Sequence, residues 1–167
     1  MNRTTIGLAA LACTLLSASG CVSLTPPERP AWQGTDQVGD VPPESLVGVW
    51  RVRELNPYPD AEPQDVTIEY RDDGTVSGRI VPRGPSANAF GDIAFQMNGQ
   101  WKVDAGIVSH SDVEMETIGD NAFARMMSGV VNGLERDLGG SADIQELGAD
   151  RIVMLGTDGG AMEYLRQ

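Results

Sequence analysis

The sequence predicts a mainly β domain of about eight antiparallel strands, arranged as an up-and-down barrel or a strongly bent sheet, with one amphipathic helix. Three observations lead there. Apolar and polar residues alternate with period two through most of residues 45–167. Glycine- and aspartate-rich turn signals separate these runs at short intervals. A single stretch, 120–138, switches to helical spacing. The 123 residues from 45 to 167 suffice for one hydrophobic core and are too few for two.

In chain order, Leu46–Leu55 reads as the first strand. Val66, Ile68 and Tyr70 alternate with Thr67 and Glu69, and Asp73-Gly74 is a two-residue hairpin signal before Thr75–Val81. The loop Pro82–Asp92 follows, with Phe90 placed to fold over one barrel mouth or to stay mobile. Ile93, Phe95, Met97, Trp101 and Val103 then share one face of a long strand. Asp104-Ala105-Gly106 turns the chain into Ile107–Glu116. The helical stripe is Phe123, Met126, Met127, Val130, Leu134 and Leu138, capped by Asp120 and ended by Gly139-Gly140. It is expected to plug a barrel end or lie along its wall. Three short strands close the chain: Ser141–Leu147, Ile152–Gly156 and Ala161–Arg166, separated by Gly148-Ala149-Asp150 and Asp158-Gly159-Gly160. Such a meander loses its exposed edges by closing.

Residues 1–20 read as a signal peptide. A short polar start carrying Arg3 precedes the apolar run Ile6–Leu16, which is well short of the ~20 residues of a bilayer span. Ala18-Ser19-Gly20-Cys21 resembles the lipobox of bacterial lipoproteins, which implies cleavage before Cys21 and acylation of its thiol. The other reading is an ordinary secretory signal that leaves Cys21 as a plain thiol. Under the resemblance, Val22 in place of a retaining Asp implies the outer membrane, with the domain in the periplasm. Residues 21–44 then form the lipidated cysteine and a Pro-rich tether, whose 23 residues after Cys21 reach roughly 70 Å when stretched. Trp32 either docks on the domain or stays solvated. The only other cysteine, Cys13, lies in the segment to be removed, so the mature domain has no internal disulfide. Removal of residues 1–20 takes away Arg3 alone among charged residues, leaving 11 basic and 24 acidic side chains, a net charge of −13. No basic stripe is present, which argues against nucleic acid and against docking on anionic lipid surfaces.

Leu46-Val47-Gly48-Val49-Trp50 resembles the Gly-x-Trp entry of lipocalins and related calycin barrels. The resemblance implies that Trp50 closes the barrel floor and that Arg166 stacks over it. A second Gly-x-Trp at Gly99-Gln100-Trp101 and the closing Tyr164-Leu165-Arg166 are similar to small lipocalin-like bacterial lipoproteins. The chain departs from that pattern in its short length and in a helix that precedes the last three strands. A further likeness is to small periplasmic metalloprotease inhibitors, which are eight-stranded barrels but carry a disulfide that this mature domain lacks.

No catalytic constellation stands out. His110 is the only histidine, and no serine sits in a G-x-S-x-G elbow. Continued alternation sets His110 beside Asp112, Glu114 and Glu116 on the wet face; a shallow cation site with Asp143 or Glu146 is the other reading. The same alternation turns Ser109 and Ser111 inward with Ile107, Val113 and Met115. Buried hydroxyls either bond to backbone and water or line a cavity with a few polar groups on apolar walls. Candidate ligand contacts are therefore Ser109, Ser111, Tyr70, Phe95, Met97, Met115 and Phe90. The expectation is a non-enzymatic, membrane-anchored module that binds a small apolar or amphipathic molecule, with no cofactor or metal. The alternative is a solid-core protein that meets an envelope partner through its outer face or loops.

Overall fold

The computed structural model describes residues 28–85, 87, 93–119 and 140–167. The expected signal peptide, Cys21, Phe90 and the helix expected over 120–138 lie outside the described residues. Eight strands form a closed antiparallel barrel in simple sequence order: β1 Gly48–Glu54, β2 Gln64–Tyr70, β3 Thr75–Pro82, β4 Ala94–Asp104, β5 Ile107–Ile118, β6 Gly140–Leu147, β7 Arg151–Gly156 and β8 Ala161–Arg166. β1 pairs with both β2 and β8, so the first and last strands seal the wall.

The turns follow from their residues. Ala105 and Gly106 both have positive φ, 48° and 77°, as a two-residue hairpin of that hand requires. The β2–β3 turn is one residue longer than Asp73-Gly74 alone suggests. The Arg71 N–H donates to Thr75 O, and Asp72–Gly74 make the loop, with Gly74 at φ 83°. Asp73 Oδ1 caps it by accepting from the Thr75 N–H at 2.9 Å.

One end of the barrel is filled. Leu46, Trp50, Tyr70, Val76, Val108, Ile144, Ile152 and Met154 have almost no exposed surface, and Trp101 and Val41 pack with them. This floor is the end at which β1 begins. There Trp50 Nε1 donates to Leu46 O at 2.7 Å. The Arg166 guanidinium lies 4.1 Å over the Trp50 ring. Its nitrogens donate to Ala149 O at 2.7 Å, Val47 O at 2.9 Å and Ser45 O at 3.0 Å. Gly48, at φ 136°, leaves room for that side chain, because a Cβ there would meet Arg166.

Two β-bulges redirect side chains. In β5, Asp112 and Val113 together oppose Gly99 of β4, with Asp112 at φ 51°. Val108 and His110 therefore face inward before the bulge, and Val113, Met115 and Thr117 after it. In β6, the extra residue is Gln145.

The described part of the expected tether is not a free spacer. Residues 28–44 lie against the barrel as a strap. Arg29 pairs with Glu54 at 3.0 Å and Asp158 at 3.3 Å, and it stacks 4.3 Å over Tyr58. Asn56 Nδ2 donates to Pro30 O and to Gly159 O, while its Oδ1 accepts from the Ala161 N–H. Further along, Thr35 Oγ1 donates to Gln145 O at 2.7 Å and the Val38 N–H to Ile144 O at 2.7 Å. The strap thus satisfies carbonyls at the β6 bulge that the ladder leaves open. Val153, on the outer side of β7 between these anchors, has no exposed surface, and Trp32 is half-buried. The Pro-rich composition that suggested a spacer also suits an extended segment that takes its hydrogen bonds from a neighbouring wall.

Arg166→Ala should lower the unfolding free energy by about 2–4 kcal/mol through the lost charged hydrogen bonds and ring contact, read as a lower urea midpoint. Arg166→Lys should recover little of it, since one ammonium cannot serve three divergent carbonyls and a ring face.

Candidate binding cavity

Among the described residues, no side chains fill the opposite end of the barrel as they fill the floor. A cavity of about 540 Å³ enters there, between the inner faces of β1, β2, β3 and β8 and the loop joining β1 to β2. Val52, Val66, Ile68, Ile80 and Met162 form its apolar wall, and Tyr164 contributes an aromatic one. Pro57, Ala61 and Pro63 come from the loop, while Arg53, Glu54, Glu62 and Gln64 add polar groups. Gly78 on β3 lets the Met97 methyl and the Ile68 side chain pack closely against its backbone.

A polar cluster is buried in the barrel interior. Tyr70 Oη and His110 Nε2 are 3.0 Å apart and share a hydrogen bond, with the two rings stacked at 5.8 Å. Trp101 meets Tyr70 edge-on at 5.1 Å, and the Tyr164 ring lies 6.5 Å from it. Burial holds His110 below its ordinary value and raises both tyrosines, so all three stay neutral near neutral pH. Neutral groups of this kind fix orientation through hydrogen bonds and attract no counter-ion.

The sequence-derived site is redistributed accordingly. His110 points into the barrel and not to the wet face, because the bulge at Asp112 breaks the alternation that was carried through β5. For the same reason Ser109 and Ser111 are not on the inner face. Ser111 is exposed and lies within 3.5 Å of Asp112, and Ser109 is half-buried beside Lys102 and Ser141 in register. Met115 does face inward, beyond the bulge. It pairs in register with Met97, while Phe95 pairs with Ile80 on one side and Thr117 on the other. Phe95, Met97 and Met115 stand on β4 and β5, and none of them is among the residues that line the cavity. Tyr70 belongs to the core cluster. Trp50 and Arg166 are brought together at the floor. The wall residues Val52, Val66, Ile68, Ile80 and Met162 were missed. Their signal was the inward alternation of β1, β2, β3 and β8 at the end remote from Trp50.

Among the described residues, no group of three or more His, Cys, Asp or Glu side chains is placed to hold a metal ion, which leaves the cation site considered at Asp143 and Glu146 without support. Glu146 instead pairs with Arg151 on the outer wall. That wall also holds Glu163, whose carboxylate is nearly fully buried yet paired with Arg53 and, at 2.6 Å, with Arg151. Burial alone would raise the Glu163 value, but the two guanidiniums outweigh it and hold it below the usual range.

No family model matches this chain, and no curated protein matches it. Among solved structures, one described as the NMR structure of the protein from Burkholderia xenovorans is similar at 12% identity. That likeness covers 84% of this chain and 98% of the other, with a TM-score of 0.43. It carries no information about function.

The pH dependence of stability follows from His110. Its folded value is depressed below 6.5, so the unfolded chain takes up the proton first. Stability should be fully present above about pH 7 and fall towards pH 5, by at most about 1.4 kcal/mol per pH unit for this one proton. His110→Gln should flatten the urea midpoint across that interval, leaving the carboxylate-driven loss at lower pH.

Proposed function

We propose that this chain is an exported lipoprotein, acylated on Cys21, whose barrel takes the apolar part of a small molecule through its open end. The observation that carries the binding half is the cavity: about 540 Å³, walled mainly by aliphatic side chains and a tyrosine. Its volume lies within the ~300–1,000 Å³ usual for small-molecule sites. Its apolar lining with few polar groups suits a hydrocarbon chain or ring better than a charged solute. A charged group would lose hydration against the aliphatic wall of Val52, Val66, Ile68, Ile80 and Met162.

The anchoring half rests on the N-terminal pattern: a short apolar run, small residues and then Cys21. Two acyl chains hold a protein firmly to a bilayer where one does so only marginally. Because Val22 follows the cysteine, the outer membrane is the proposed destination, with the barrel in the periplasm.

Residues 22–167, secreted without the anchor into a bacterial periplasm and kept native, should carry a stoichiometric extra mass that disappears on denaturation. Ile80→Trp, which inserts a large ring into the cavity wall, should remove that mass while leaving a folded barrel by circular dichroism. A bare mass, repeated after exposure to envelope lipid extract, would overturn the binding half and favour the solid-core reading, in which the outer wall or loops meet an envelope protein. For the anchoring half, cells fed an alkyne-tagged fatty acid should label the full chain and fail to label Cys21→Ala.

A further inference from the structure

The barrel has polarity, with a filled floor and an open mouth, and the strap sets which of the two lies nearer the N-terminus. β1 enters the barrel at the floor, with Val41 and Leu46 buried there immediately before it. A free tether would therefore place the floor nearest any anchor upstream. The strap reverses this. Upstream of Val41 the chain crosses the outer wall, with the Val38 N–H on Ile144 O and Thr35 Oγ1 on Gln145 O, and its first described residues lie at the rim of the mouth. There Arg29 is held by Glu54, Asp158 and Tyr58, with its side chain only 10% exposed, and Pro30 O is held by Asn56. Glu54 is itself part of the cavity lining.

We infer that the strap turns the cavity mouth towards the membrane carrying the Cys21 acyl groups, so that the mouth end of the barrel is a bilayer-facing surface. The inference rests on the lipid anchoring proposed above. Its quantitative basis is chain length. Only eight peptide steps separate Cys21 from Arg29, which caps the distance between them at about 29 Å whatever the path. A Pro-rich chain of that length spans about 25 Å when extended. β1 alone, seven residues long, spans about 23 Å of barrel wall. Floor-first contact therefore requires the leader to double back along the barrel wall from the rim, whereas mouth-first contact requires no such path. With the mouth against the bilayer, an apolar chain passes from membrane to cavity without crossing bulk water, which removes the largest barrier to its transfer.

The test uses the acylated full chain reconstituted in vesicles of phosphatidylethanolamine and phosphatidylglycerol, some of it headgroup-spin-labelled. Asp60→Cys places a thiol-reactive fluorophore on the mouth loop and Ala149→Cys places one at the floor; with Cys13 removed and Cys21 acylated, each new thiol is the sole free one. Spin-labelled lipid should quench position 60 strongly and leave position 149 unquenched. Releasing the strap with Arg29→Ala, Thr35→Ala and Val38→Pro together should abolish that difference while circular dichroism still reports the barrel. Equal quenching at both positions in the parent chain, or stronger quenching at 149, would overturn the orientation while leaving anchoring and binding intact. A difference that survives strap release would remove the strap as its cause. A chain that never associates with vesicles would instead sink the anchoring itself, and the orientation with it.

Discussion

The Arg166 guanidinium over Trp50 is the contact on which the barrel depends. Three backbone carbonyls, from the residues leading into β1 and from the β6–β7 turn, accept from one side chain of the last strand, while its flat face covers the floor indole. Closure of β1 on β8 is thereby combined with closure of the floor. A barrel with no internal disulfide has only its core and its ladder to hold it, and here both converge on one residue next to the end of the chain. Gly48 belongs to the same device, since any Cβ at that place would displace the guanidinium.

With the floor filled in this way, the other half of the barrel is free to stay open. The change occurs over a short distance. Trp50, Tyr70, Trp101 and Met154 pack tightly, and the aliphatic side chains of β1, β2, β3 and β8 then line empty space. An eight-stranded barrel is just wide enough for its own side chains to fill. The space arises where Val52, Val66 and Ile80, shorter than the aromatic residues of the floor, face the interior. The buried Tyr70 and His110 satisfy each other through their shared hydrogen bond, and burial disfavours the protonated His110.

Strands, their order and most turns were legible because alternation and glycine-bearing turns depend on local sequence. Trp50 and Arg166 were legible through the Gly-x-Trp likeness. What escaped were the other features made by residues distant in sequence. The bulge at Asp112 needs Gly99 opposite it, and nothing near Asp112 announces the extra residue; one inserted position then sends His110 inward and Ser109 and Ser111 off the inner face. Asn56 reads as an ordinary loop residue, yet its amide joins the strap, the β7–β8 turn and the start of β8. The strap itself has the composition of a linker, and its partners on β6 lie about a hundred residues away. The cavity wall consists of common aliphatic residues, which local pattern cannot separate from core.

That separation along the chain has a kinetic side. Thr35 meets Gln145 across 110 residues, Arg29 meets Asp158 across 129, and Arg166 reaches Ser45 across 121. Each of these contacts joins the first part of the chain to one of its last three strands, so none can form before almost the whole polypeptide is present. Contacts of such sequence separation are associated with slow folding, because the loop entropy must be lost before they return any stabilisation. Until then β1 has an unpaired edge. The interval between synthesis of β1 and arrival of β8 is thus the period in which this protein is most open to strand-to-strand association with its neighbours.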